Sequence, residues 1–114
     1  MRIALLGYGK MGKLIETIAL REGWEVDPKL DINDNAEGSG ITPESMEGVD
    51  VAIEFSQPEA VVSNIEAIAR TGVNIVVGTT GWSDQRAKVD RIVRDSGIGL
   101  IYGANFSLGM NLFF

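Results

Sequence analysis

The stretch IALLGYGKMGKLIETIA, residues 3–19, restricts the possible folds more than any other part of this chain. Arg2-Ile3-Ala4-Leu5-Leu6 is short, apolar and bounded by Gly7, as expected of a strand buried on both faces of a parallel sheet. Met11, Leu14, Ile15, Ile18 and Ala19 then recur at helical spacing, and Gly23 supplies a stop. Strand, glycine turn and helix in this order open an α/β unit.

Between strand and helix, Gly7-Tyr8-Gly9-Lys10-Met11-Gly12 has GxGxxG spacing. The string alone is weak evidence, because an ordinary strand–helix turn also uses glycine. Its setting gives each glycine a separate task. Gly7 permits a tight turn, Gly9 leaves room for a pyrophosphate, and Gly12 lets the helix pack close to the strand. The unpaired N–H groups of the first helical turn would face the phosphates. An acid about 20 residues farther on should meet the adenosine ribose. Asp31 lies 19 positions past Gly12, and the alternative for it is a surface acid. A carboxylate there accepts from both ribose hydroxyls and repels a 2′-phosphate, which puts NAD(H) first. No Arg follows Asp31, in agreement, while Lys10 within reach keeps NADP(H) open.

Further strands are expected at Trp24 to Leu30, Val49 to Phe55, Val73 to Val77 and Ile98 to Tyr102. Asp27-Pro28 points to an edge position or a bend in the second. Ser56 and Glu59, with Pro58 in the first turn, have capping-box spacing for a helix ending at Gly72. Ser83 can cap another, through Asp95, with Asp84/Lys88 and Arg91/Asp95 at i,i+4. Five strands alternating with helices predict a Rossmann-type doubly wound parallel sheet of order 3-2-1-4-5.

The 114 residues fit one domain, assigned to 1–104 as a dinucleotide-binding domain. Residues 105–114 end on Phe113-Phe114 and read as the start of a crossover into a substrate or oligomerisation domain absent from this chain. The chain has no cysteine, hence no disulfide or thiolate chemistry, and a cytoplasmic setting is expected. It has no histidine either, which removes the usual general base and the commonest metal ligand, so no metal site is expected. A net charge of −6 with scattered Lys and Arg argues against nucleic acid. No run approaches the ~20 apolar residues of a membrane span.

Ligands of this fold sit outside the carboxyl ends of the strands, at the point where strand order reverses, here expected between strands one and four. Strand four ends in Gly78-Thr79-Thr80-Gly81, whose hydroxyls could bond a ribose or carboxamide. The alternative is a turn that caps the next helix. Strand five runs into Ala104-Asn105-Phe106, where the Asn105 amide could hold a carboxamide and Phe106 a ring; a hinge is the alternative. Phe55-Ser56 could lie along the cofactor, although Ser56 also serves as a cap. Glu54 reads as a strand-end acid, and Trp24, Trp82 and Tyr8 as packing or rim residues.

Together GYGKMG, VVGTTGW and ANFSLGMN, with IEFSQPEA between the first two, resemble the 4-hydroxy-tetrahydrodipicolinate reductase (dihydrodipicolinate reductase) family of lysine and diaminopimelate synthesis. The likeness spans the whole chain but only that family's N-terminal cofactor domain. It implies that residues 7–12 (Tyr8, Lys10 and Met11 included) hold the pyrophosphate and Asp31 the ribose. Gly78, Thr79 and Thr80 would line the nicotinamide end, and Ala104, Asn105 and Phe106 would close over the ring. The implied reaction is hydride transfer from NAD(P)H to a cyclic dicarboxylate, in a homotetramer. The family's paired histidines, lysine and Gly-Thr pair belong to a second domain, so no catalytic residue is expected in this chain and it should be inactive alone. A free-standing dinucleotide sensor is the alternative. A methyltransferase is disfavoured by the glycine spacing and the GTTG loop.

Overall fold

The apolar run at the start forms the centre of the sheet. In the computed structural model, which describes residues 1–31 and 35–102, β1 spans Arg2–Leu6 and its Ile3, Ala4, Leu5 and Leu6 are 0–1% exposed. Helix α1 (Lys10–Arg21) leads to β2 (Glu25–Leu30), and a short 3-10 turn at Ala36–Gly38 precedes β3 (Val51–Glu54). Helix α2 (Pro58–Thr71), β4 (Asn74–Val77), a 3-10 turn at Ser83–Gln85, α3 (Arg86–Ser96) and β5 (Leu100–Tyr102) complete the described chain.

Side chains alternate across the sheet and divide the core in two. Ile3 and Leu5 pack on Ile15 and Ala19 of α1. Ala4, Leu6, Ala52, Ile75 and Val77 face the other way, onto Val61, Ile65 and Ile68 of α2 and Val89 of α3. Helices therefore cover both faces, which is the doubly wound α/β class expected, and every strand pairing is parallel.

The strands lie in the order β2-β1-β3-β4-β5. Compared with the 3-2-1-4-5 arrangement, the third strand sits between β1 and β4 rather than outside β2. The composition of β2 accounts for this. Its residues EVDPKL alternate exposed and half-buried, and an interior strand cannot carry Pro28 among charged neighbours. Pro28 also falls where the β1–β2 register slips between Ile3 and Leu5, so the extra residue of a bulge is spent on the edge. β3, with Ala52 and Glu54 wholly buried, takes the interior position. The reversal point thus lies between β1 and β3, not between β1 and β4.

Two expected caps differ. Helix α2 begins one residue late, on Gln57 with Pro58 at its first position, and Ser56 makes no cap bond. Its hydroxyl instead donates to Glu54 Oε1 at 2.7 Å. Ser83 opens a 3-10 turn rather than capping α3, and Lys88 reaches Glu66 of α2 at 3.9 Å while Arg86 pairs with Asp90 at 3.7 Å. No helix among the described residues is long and apolar enough to cross a membrane.

Candidate functional site

Sheet register sets the site. Leu30, Leu6, Glu54 and Val77 are aligned on neighbouring strands, so the next residues, Asp31, Gly7, Phe55 and Gly78, form a row along the carboxyl rim. The row is bonded together: Gly7 N–H donates to Leu30 O (2.7 Å), Phe55 N–H to Leu6 O (2.8 Å) and Gly78 N–H to Glu54 O (2.8 Å). Above it, where β1 and β3 part, opens a cleft of about 380 Å³.

The three motif glycines meet three different surroundings. A Cβ on Gly7, whose φ is +105°, would lie 2.2 Å from Phe55 O. A Cβ on Gly12 would lie 2.6 Å from Gly7 O, so helix and turn touch through bare backbone. At Gly9 a Cβ would meet nothing within 4 Å among the described residues. Packing among the described residues therefore requires the first and third glycines and not the middle one.

Gly9 is also the N-cap of α1 and offers no side-chain cap bond. The first helical bond runs from Lys13 N–H to Gly9 O at 3.0 Å, so the N–H groups of residues 10–12 have no acceptor within the helix. No acid stands in this first turn, which leaves its positive dipole end uncompensated. By contrast α2, which also borders the cleft, starts with Pro58 and carries Glu59 in its first turn. Of these two helix mouths, only that of α1 suits an anion.

The cleft gathers Gly7, Tyr8, Gly9, Asp31, Phe55 and Ser56 from the expected set. Lys10 and Met11 lie exposed in the first turn of α1, and Gly12 is buried beneath it. Gly78 and Thr79 stand one strand away. The space at Gly78 holds the Phe55 ring, which a Cβ would meet at 2.1 Å, so Gly78 accommodates a side chain of the chain itself. Thr79 Oγ1 accepts from Ser56 N–H at 3.0 Å and donates to Glu54 Oε1 at 2.9 Å, so its hydroxyl is committed internally. Thr80 is exposed beside it. Ala104, Asn105 and Phe106, and the boundary at 104/105, lie outside the described residues.

Tyr8 gives the cleft one wall. Its hydroxyl bonds Glu16, whose other oxygen accepts from Lys29 Nζ at 2.7 Å, and the Lys29 ammonium lies 5.3 Å from the Tyr8 ring centroid. The Lys29 bond, then the Tyr8 bond, hold the Glu16 carboxyl below its ordinary value, and the bond to Glu16 raises both Tyr8 and Lys29. Trp82 is a packing residue, with Nε1 donating to Thr79 O at 2.7 Å and its ring edge-on to Tyr102.

The residues missed in the sequence are polar: Asn35, Asn64 and Glu54 are buried, and Glu37 is exposed. Asn35, Glu37 and Asn64 line the cleft, and Glu54 lies wholly buried behind Ser56. The available signals were Asn64 in the apolar stripe of α2 beside Val61 and Ile65, and Glu54 at an inward position of β3 beside Ala52. The carboxylates of the lining are Asp31, Glu37 and Glu59, and the described lining holds neither Lys nor Arg. Among the described residues no group of three His, Cys, Asp or Glu could hold a metal ion.

The chain is similar to known proteins along nearly its whole length. Residues 1–106 match the family model described as dihydrodipicolinate reductase, N-terminus. A 4-hydroxy-tetrahydrodipicolinate reductase of Christiangramia forsetii is 42% identical over all 114 residues, which cover 46% of that protein. One from Archaeoglobus fulgidus is 35% identical over 99% of this chain and 49% of its own length. The chain thus spans about half the length of these relatives. With the model matched over nearly every residue, the chain belongs to the dihydrodipicolinate reductase family and corresponds to its N-terminal domain.

Proposed function

We propose that this chain is the NAD(H)-binding part of a reductase acting on 4-hydroxy-tetrahydrodipicolinate. The observation that carries the proposal is the open space at Gly9 above an uncapped helix mouth, with Asp31 on the neighbouring strand end of the same cleft. The diphosphate accepts from the free N–H groups of residues 10–12, and its negative charge offsets the dipole of α1. The Asp31 carboxylate accepts from the adenosine ribose hydroxyls. Asp31 and Glu37, with no cation in the described lining, disfavour a 2′-phosphate, which supports NAD(H) over NADP(H). Phe55, held by Gly7 and Gly78, forms the floor between the adenosine side and the β4 turn.

The bound dinucleotide supplies the hydride. The chain's own residues bind and orient it, and its nicotinamide end is directed toward Thr79 and Thr80 of the β4 turn. Donation of a proton to the substrate and recognition of its carboxylates belong to the second half of the full-length reductase, as does its tetramer. The 114-residue chain is therefore expected to bind NADH and to show no turnover.

Calorimetric titration of Asp31→Ala checks the ribose contact. Removing a charged hydrogen-bond acceptor costs about 1.5–3 kcal/mol, or roughly ten- to a hundredfold in NADH affinity. NADPH affinity should change less, because the repulsion of the 2′-phosphate goes with the same carboxylate. Equal losses for both coenzymes would remove Asp31 from the ribose.

A further inference from the structure

Glu54 is 0% exposed, yet it sits at the end of β3 directly behind the cleft. Its Oε1 accepts from Ser56 N–H at 2.6 Å, Ser56 Oγ at 2.7 Å and Thr79 Oγ1 at 2.9 Å. Its Oε2 accepts from Asn64 Nδ2. Asn64, 2% exposed, in turn accepts through Oδ1 from Asn35 Nδ2 at 2.8 Å, and Asn35 Oδ1 accepts from Gly40 N–H at 2.9 Å.

The direction of this chain of bonds is fixed at both ends by the backbone. Gly40 N–H can only donate, so Asn35 must accept there and donate from its amide. Asn64 must then accept from Asn35 and donate onward, and Oε2 of Glu54 must accept. At the other end Ser56 N–H can only donate, so Oε1 must accept as well. A side chain that accepts on both atoms is a carboxylate; an amide would set an NH2 group against one of two donors. No buried side-chain polar atom among the described residues is left unsatisfied, so the relay has no slack.

We infer that Glu54 is a positioning residue of the cofactor cleft: by fixing the polarity of the Asn64–Asn35 relay, it holds the turn at residues 35–40 against the β3 and β4 rim turns. That turn carries Asn35, Ala36 and Glu37, which wall the cleft beside Asp31, while Ser56 lines it from the end of β3 and is bonded to Thr79 of the β4 turn behind it. One buried carboxylate thus ties the β3 wall of the groove to the turn at residues 35–40 without touching the ligand. The inference rests on the cofactor reading above.

The test exchanges the chemistry of two neighbours in the 114-residue chain. Glu54→Gln alone is expected to weaken NADH about tenfold, measured by titration well below its melting temperature, so that only folded protein is compared. Adding Asn64→Asp restores every donor–acceptor match: the amide introduced on β3 donates to the carboxylate introduced on α2, which still accepts from Asn35. The double variant is expected to bind NADH within about threefold of wild type. A purely structural Glu54 would lower the melting temperature of Glu54→Gln and leave its NADH affinity unchanged, and that result overturns the inference. If Glu54→Gln does not fold, the double variant decides: failure to fold, or a tenfold loss of affinity, overturns it equally. Wild-type chain that binds no NADH at millimolar concentration would reject the cofactor reading and this inference with it, whereas wild-type binding with an unaffected Glu54→Gln rejects this inference only.

Discussion

Gly9→Val is expected to abolish NADH binding while leaving the melting temperature within a few degrees of wild type. A Cβ at residue 9 meets no atom of the described residues within 4 Å, so the branched side chain projects into the open cleft. As an N-cap residue glycine contributes little that valine removes, about 1 kcal/mol or less. The new methyl groups would occupy the place where a diphosphate approaches the free N–H groups of α1. A loss of at least about a hundredfold in affinity, or about 2.8 kcal/mol, is expected by calorimetry. Unfolding of the variant, or undiminished NADH binding, would show that the open space at Gly9 is not the phosphate site.

Gly7→Ala is expected to do the reverse and act on the fold itself. Residue 7 has a φ of +105°, outside the reach of ordinary L-residues, at a cost of about 1–2 kcal/mol. Its Cβ would also lie 2.2 Å from Phe55 O and 2.7 Å from Phe55 C, which are backbone atoms of the neighbouring strand end. Overpacking of this kind costs about 1–3 kcal/mol more. A total of about 3 kcal/mol lowers the melting temperature of a domain this size by about 15 °C. A differential scanning measurement with a shift under 5 °C would contradict the close approach of β1 to β3 described here. The two glycines stand two residues apart in one motif, yet substitution of the first is expected to act on stability and of the second on ligand binding.

The strand–turn–helix opening was legible because each local signal agreed: an apolar run too short for a helix, glycines at the turn, and a 3.6-residue stripe after them. The strand order was less legible. It depends on which side of β1 the chain returns to after β2, and residues 32–50 bear no helical pattern that sets a crossover. Pro28 and its charged neighbours did carry the answer, since they require an edge that the order 3-2-1-4-5 denies to the second strand. The Ser56–Glu59 spacing suggested a capping box for a sound reason, but the hydroxyl had a stronger acceptor two residues back in Glu54. A buried relay such as Glu54–Asn64–Asn35 joins positions 10 and 29 residues apart, and no local pattern announces such a match. Asp31 was found by its distance from the motif, whereas Glu37 enters the cleft only because the turn at residues 35–40 folds back over it.

The most direct measurement is a 15N–1H correlation spectrum of the labelled chain titrated with NADH. Saturable shifts concentrated on the amides of residues 9–12, with Asp31 and Ser56 moving in step, are expected for a diphosphate seated at the mouth of α1. Shifts confined to other surfaces, or none at millimolar NADH, would contradict a dinucleotide site between β1 and β3.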